Sequence, residues 1–415
     1  MPTKNNKKEE MNKKVFILGL GVILGLASCK KEGCTDINAN NYDSEAANDD
    51  ASCIYDSYTI TDVNVDGESY KKVTGTIDEN ITFLAANKYL LEGGVFVGSG
   101  ATLTIESCTE VFAQTTGATS FLSVLRGGKI DAVGSSNCPI VFKPIGSNPQ
   151  AGDWGGIIIN GRAPINTGTE AQGEGNTGLY GGSNAADNSG TISYVRVEYA
   201  GKVLGTDNEL NGFSFNGVGF GTSISYIQAY KGSDDGIEFF GGTVNVTYAV
   251  STGNHDDSFD WTHGWSGNAG NWIVEQDQDN GDRGIEADNN GDNNTASPYS
   301  DPAITNIHLT LRDSADHKSG IKLREGTKGS LSNIYINGSV KPLDIQHDAT
   351  LNNVVDGSLS VSSVSVENTI TNATFKSSNS NATLEGNASA AGNVVVDGNA
   401  STIDTSWKNG WTLGL

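Results

Sequence analysis

From about residue 90 the chain alternates short Val/Ile/Phe/Tyr-rich runs with clusters of Gly, Asn, Asp and Ser, and no helical period is convincing beyond the N-terminal segment. The runs repeat. Gly212-Phe213-Ser214-Phe215, Gly236-Ile237-Glu238-Phe239, Ser258-Phe259-Asp260-Trp261, Gly284-Ile285-Glu286-Ala287 and Gly320-Ile321-Lys322-Leu323 share one four-place pattern: small, apolar, polar, mostly apolar. Their apolar positions 213, 237, 259, 285 and 321 lie 24, 22, 26 and 36 residues apart, and the longest interval contains an insertion around Asn289 to Pro302. One circuit of a parallel β-helix needs a period of this size, whereas a propeller blade needs a longer and more uniform one. Companion runs such as Ile192-Ser193-Tyr194-Val195 and Ile224-Ser225-Tyr226-Ile227 alternate, one face in and one out, as a coil wall requires. The pattern predicts an all-β chain folded as a parallel β-helix. Trp407-Lys408-Asn409-Gly410-Trp411-Thr412-Leu413 is expected to close the last coil, and residues 57 to 90 the first, because open ends expose core and unpaired strand edge.

Composition fits that picture. The 53 glycines among 415 residues follow no collagen period and fall at corners where the backbone bends, and 36% hydrophobic content is enough for a folded core. The net charge of −23 repels phosphate backbones, so nucleic acid is not expected as a partner; cations, cationic ligands or neutral glycans are electrostatically easier.

Part of the chain reads as a targeting segment. Lys13 and Lys14 precede the apolar run Val15 to Ala27, long enough for a signal-peptide core and short for a membrane span. Met11 is an alternative start to Met1. The ending Leu26-Ala27-Ser28-Cys29 resembles the lipobox of bacterial lipoproteins, which implies cleavage before Cys29 and a lipid on that residue; the alternative is an ordinary secretory signal. Removing residues 1 to 28 takes five lysines and two glutamates and leaves a net charge of −26. The expected organisation is a signal peptide over 1–28, a lipid tether and Asp/Asn-rich module over 29–56, and the β-helix with its caps over 57–415.

With Cys29 assigned to lipid, four cysteines remain in an export context where disulfides persist. Cys34 and Cys53 bracket a polar stretch too short to hold a fold without a staple. Cys108 and Cys138 each lead into a Val-Phe strand, thirty residues apart; on successive coils, about 4.8 Å apart, they reach bonding distance. The alternative for the second pair is two free buried thiols.

Charge is concentrated. Residues 232 to 301 hold fourteen acidic residues against one base, Arg283. Stacking of coils turns Glu238, Asp260 and Glu286 into a carboxylate ladder continued by Lys322, and like charges at strand spacing repel unless protons, a cation or a ligand compensate. Calcium suits such a wall, because it accepts several oxygens in flexible geometry. Asp277, Asp279 and Asp282 form one candidate calcium turn, and Asp36-Ile37-Asn38-Ala39-Asn40 another; neither has the EF-hand pattern, and solvated turn residues are the alternative. Among the nearby aromatics, Phe239 and Trp261 are expected in the core. Trp265 and Trp272 are expected to be exposed, binding ligand together with Glu238, Asp260 and Glu286.

Were the wall catalytic, Asp234, Asp235, Asp256, Asp257, His255, His263, Arg283, Lys322, Arg324 and Glu325 would be expected to converge, with paired carboxylates serving as acid and base or as acid and nucleophile. Asp234-Asp235-Gly236, Thr262-His263-Gly264 and Lys322-Leu323-Arg324 resemble the Asp-Asp, Gly-His-Gly and Arg-x-Lys motifs of polygalacturonase-like hydrolases, although Thr262 stands for a glycine and the basic pair is reversed.

The run Gly100 to Ile105, then Arg126 to Gly134, Pro139 to Phe142 and Gly152 to Ile157, resembles right-handed β-helix proteins of bacterial surfaces. With Cys29 and the Cys34 to Cys53 module, the chain resembles a Bacteroidota-type surface lipoprotein. That resemblance implies a lipid-anchored protein of the outer membrane, at the cell surface, and transfers no reaction. The expected function is a non-catalytic scaffold that binds glycan or a protein partner through an acidic, calcium-binding wall; the alternative is a polysaccharide lyase or glycoside hydrolase.

Overall fold

The computed structural model describes residues 31–414, apart from 38, 51, 55–56, 207, 313–318, 339–340 and 368–371. The signal segment and Cys29 therefore lie outside the described residues, as does Asn38 of the second calcium turn.

Among the described residues, 24 strands join into one sheet that winds on itself, parallel throughout except for the hairpin Thr59–Val65/Glu68–Ile77 at the N-terminal end. The repeat columns read from the sequence are the pairing register: Phe213 lies beside Ile237, Ile237 beside Phe259, Phe259 beside Ile285, and Ile285 beside Ile321. Leu343 extends the column by one further coil. All six side chains are fully buried in one continuous core.

The companion strands bend midway. Tyr194, Tyr226 and Tyr248 sit at positive φ between the inward residues of each run, and Asn271, Asn306, Asn333 and Ser363 occupy the same place in later coils. The bend divides each long strand between two faces, so a coil has three. It also makes an external column in which the tyrosines stack at 4.3 and 4.5 Å and the asparagines hydrogen-bond from coil to coil. Aromatic offset stacking and side-chain amide ladders both reward identical residues at strand spacing.

Both disulfides form as expected, Cys34–Cys53 with 4.8 Å and Cys108–Cys138 with 4.6 Å between Cα atoms. The second joins successive coils, since Val111 lies beside Phe142.

Three expectations are corrected. The first is the absence of helix: Asp348–Asp356 and Ala382–Ala391 are α-helical, and Leu351, Val354 and Ala388 enter the core, so these short helices help cover the C-terminal end. The second concerns the terminal tryptophans. They do not close the last coil; the chain turns back along the outside, and Trp411 packs edge-on against Tyr194 and Tyr226, several coils earlier. The coil edge is covered instead by residues 393–398, which hydrogen-bond to Val361 and Val364. The third is the exposure of Trp265 and Trp272, both fully buried. Trp272 follows the bend at Asn271 and therefore points inward, in register with the small Ala249 and with Ile307. It stacks on Phe259 at 4.1 Å, and Trp265 on Phe239 at 4.1 Å. Their indole N–H groups donate to the carbonyls of Val246 and Val244. Phe239 and Trp261 are core residues, as expected.

Candidate functional site: an acidic cleft on the coil wall

The polar place of the repeat points outward, and stacking turns it into a column. Ser214, Glu238, Asp260, Glu286, Lys322 and Asp344 lie side by side on six successive coils. The expected ladder is therefore present, with Lys322 in its expected place.

A second column runs beside it through the turns that precede these strands. Asp235 Oδ1 accepts the backbone N–H of Asp257 at 2.8 Å, and Asp257 Oδ1 accepts that of Arg283 at 2.6 Å. Each corner carboxylate is thus held by the next coil, and both side chains are buried. The preceding coil has Asn211 near this place, whose amide donates to Glu238 Oε2 at 2.6 Å. Asp234 and Asp256 neighbour the corner residues in sequence and line the same space.

Together the columns border an open cleft of about 520 Å³. Its far wall comes from two hairpins that leave the coils. Ala171–Gln172 and Leu179–Tyr180 pair antiparallel, and their connecting turn brings Glu174; Val203–Gly205 and Asn208–Glu209 pair likewise and bring Glu209. Sequence reasoning missed both residues, because neither lies in a repeat column or in the acid-dense stretch.

The cleft has two electrostatic ends. At one, the carboxylates of Asp234, Asp235 and Asp256 approach within 4.8 Å of one another, and so do those of Asp235, Glu238 and Asp260. Among the described residues, no Lys or Arg nitrogen is within ion-pair distance of Asp234, Asp235, Glu238 or Asp260. At the other end, Arg283 pairs with Asp257, Asp282 and Glu286, Lys322 with Glu286 at 3.2 Å, and Arg324 with Glu286 and Asp288. The expected convergence of these bases with the carboxylates is therefore present, but the bases are engaged in ion pairs.

Burial and mutual repulsion oppose ionisation at the first end. Asp235, Glu238 and Asp260 are pushed well above the ordinary carboxylate range by burial, and then by their acidic neighbours. Asp257 is raised in the same way, against the pull of Arg283. Asp234 is pushed up to about 7 by burial and Asp256, and Glu174 to about 8 by burial and Asp234. Burial works against the charge of Arg324, yet Asp288 and Glu286 hold it more basic than usual. Oxygens so close are the donor set a hard divalent cation takes.

Several expected members lie elsewhere. His263 is not part of the cleft wall; its Nδ1 meets the Tyr180 hydroxyl at 3.2 Å beside Phe240, and burial lowers its pKa to about 4. Without it, the likeness to the Asp-Asp, Gly-His-Gly and Arg-x-Lys set loses its middle member. His255 is also absent from the cleft lining. Asp277, Asp279 and Asp282 do not gather as one ligand set: Asp277 pairs with Lys231 at 3.4 Å, while Asp282 joins Asp256 and Asp257. The turn unrolls along the coil edge, so the sequence neighbours face different partners. Glu325 faces His347 and Asn294. Trp265 and Trp272, being in the core, offer no ligand shelf.

Neither a curated protein nor a solved structure matches the chain. A family model does: the pectate-lyase-like beta helix domain matches residues 75–412, the whole coil region and the returning tail. With its parallel coils, inward ladders and stacked outer columns, the chain belongs to the family of pectate-lyase-like β-helix domains.

Proposed function

We propose that the chain is a lipid-tethered scaffold of the cell surface whose acidic cleft binds calcium and, through it, carbohydrate. The observation that carries this reading is the carboxylate-rich end of the cleft, where Asp234, Asp235, Asp256, Glu238 and Asp260 bring oxygens within 4.8 Å in two overlapping triads. Calcium takes six to eight oxygens, so protein carboxylates leave positions for the hydroxyls or carboxylates of a glycan. An anionic glycan is repelled by the bare cleft and needs that bridge. With the tryptophans in the core, sugar contacts come from cation-bound oxygens rather than from an aromatic shelf. Titration calorimetry with calcium checks the cation: one or more sites are expected, weakened at least tenfold in Asp235→Asn and Asp260→Asn. Absence of calcium heat at millimolar concentration overturns the reading.

The tether rests on Leu26-Ala27-Ser28-Cys29. Expressed in a bacterial host, the protein is expected to incorporate labelled fatty acid and to lose it in Cys29→Ser; equal labelling of both forms removes the anchor.

A second reading is cleavage of a polysaccharide at the same wall. It is favoured by Glu174 and Asp234, which hold protons near neutrality beside other carboxylates, as a general acid must. A screen of acidic and neutral polysaccharides with and without calcium separates the two. Product that disappears in Glu174→Gln and Asp234→Asn establishes the enzyme, whereas binding without product supports the scaffold.

A further inference from the structure

The stapled module and the cleft are joined by one arginine. Arg126 leaves the coil just after the strand Phe121–Val124, and its side chain is 10% exposed. Its guanidinium pairs with Asp49 of the module and with Glu170, both at 2.9 Å, and donates to the carbonyl of Gly181 at 3.2 Å. Glu170 and Gly181 flank the hairpin Ala171–Gln172/Leu179–Tyr180, so Arg126 grips both feet of the element whose tip carries Glu174 into the cleft. The module adds a second contact there, from Thr35 Oγ1 to Glu170 Oε1 at 3.3 Å. At the tip, the N–H of Gly175 donates to Asn208 Oδ1 at 2.8 Å, which ties this hairpin to the one carrying Glu209.

We infer that the Cys34–Cys53 module is a positioning device for the cleft: docked through Asp49 on Arg126, it fixes the two hairpins that bring Glu174 and Glu209 opposite the carboxylate columns. The junction supports this role. A partly open cavity of about 360 Å³, lined by Asp36, Asp49 and Ile54 of the module and by Leu125, Arg126 and Leu179, separates module and wall there, so the two are not closely packed at this point and the Arg126 clamp spans it. Asp49 is 12% exposed, and at that burial a two-carboxylate arginine clamp is geometrically specific, while loss of one carboxylate leaves the guanidinium half-satisfied. The hairpins have no place in the parallel ladder; besides the clamp, the first is tied to the coils by Asn160 Nδ2 donating to the carbonyl of Thr177 at 3.2 Å and by the N–H of Gly181 donating to Gly161 O at 2.9 Å.

The test uses the full chain and two readouts, because the affinity readout rests on calcium binding at the cleft whereas the exchange readout does not. Asp49→Asn, and separately Thr35→Val, are expected to speed amide hydrogen exchange in residues 171–180 and 203–209 at least tenfold. Exchange in the coil strands Ser319–Leu323 and Gly329–Asn337 should stay as in the wild type. Calcium affinity should fall three- to tenfold with little change in melting temperature. Asp50→Asn, an exposed neighbour in the same module, serves as the control. Unchanged exchange in both hairpins overturns the inference whatever calcium does. Faster exchange with unaltered calcium affinity shows that the hairpins do not tune the cation site, and overturns the coupling to the cleft. If the wild type binds no calcium, the function reading fails and exchange alone still decides the positioning.

Discussion

In a chelating buffer the protein is expected to lose stability as pH rises from about 4 to about 8, and calcium is expected to abolish most of that loss. The folded-state pKa of Asp234 lies at about 7 against an ordinary 3.8, and that of Glu174 at about 8 against 4.5. Groups raised in this way bind more protons folded than unfolded, so their contribution is complete below the unfolded value and is lost as pH climbs through the folded one. Asp235, Glu238, Asp257 and Asp260 act in the same direction. Because the groups repel one another their effects are shared, and the combined loss between pH 5 and pH 8 is on the order of several kcal/mol. His263 opposes them. Its lowered pKa makes stability fall as pH drops below about 6.5 toward 4, which one buried histidine cannot balance against six carboxyl groups. The carboxyls held below their usual range, among them Asp43, Asp50 and Glu385, lie at or near the surface and act only in acid.

The same argument gives an unusual mutational sign. Asp260→Asn removes a buried carboxylate that Glu286, Asp288 and Asp257 repel more than Arg324 attracts it, so it is expected to stabilise the calcium-free protein at pH 8 by about 1–3 kcal/mol while weakening calcium binding. In wild type, saturating calcium stabilises by mass action, about 2.7 kcal/mol at a hundredfold excess over Kd. Urea unfolding at pH 5, 6.5 and 8, with calcium or chelator, reads all of these. A flat chelator profile, or Asp260→Asn less stable at pH 8 than wild type, would show that repulsion among the buried cleft carboxylates does not limit stability.

How much of this was legible beforehand depended on whether periodicity carried it. The column through Phe213, Ile237, Phe259, Ile285 and Ile321 was read correctly because each coil must place an apolar residue inward at the same step. The ladder Glu238, Asp260, Glu286, Lys322 followed from the same register one residue later. Strict alternation does not foresee the bend at Asn271, which turns Trp272 inward, or the positive φ of His263 and Gly264, which immediately precede Trp265. Positive φ at a Tyr or Asn inside a strand-like run has no clear composition signal. The column of Tyr194, Tyr226 and Tyr248 followed by Asn271, Asn306 and Asn333 becomes readable only once the coils are aligned. Glu174 and Glu209 were invisible for another reason. They stand on hairpins outside the repeat, so their place opposite the columns is set by long-range contacts such as Arg126 with Glu170.

The tail returns along the outside instead of capping the last coil, and its removal is the second large effect expected. The sequence shows two tryptophans near a solenoid end, which must be covered, but not which coils a tail can reach. In the fold, Trp411 is 1% exposed and sits over Val250 and Ile273 beside the tyrosine stack. Its carbonyl accepts from Arg196 at 2.6 Å, and its indole N–H donates to Trp407 O at 3.0 Å. Two residues on, Leu413 exchanges two hydrogen bonds with the fully buried side-chain amide of Gln228, and Ser401 donates to Asn333 at 2.7 Å. The tail therefore straps coils that are far apart in sequence. That adds long-range coupling to a solenoid otherwise held mainly by nearest-neighbour contacts. Trp411→Ala removes the largest apolar group of the strap and is expected to cost about 3–5 kcal/mol. Truncation before Ser401 costs more, because it also removes both Leu413 hydrogen bonds and leaves the buried Gln228 amide with Thr252 alone, a further ~1–3 kcal/mol. Both variants should speed hydrogen exchange first in Gly190–Glu198, Ser223–Tyr230 and Asn245–Thr252, the strands under the tryptophans, while calcium binding at the opposite columns persists. A truncated chain that unfolds at the wild-type urea concentration, with unchanged exchange in those strands, would mean that the coils hold their register without the strap.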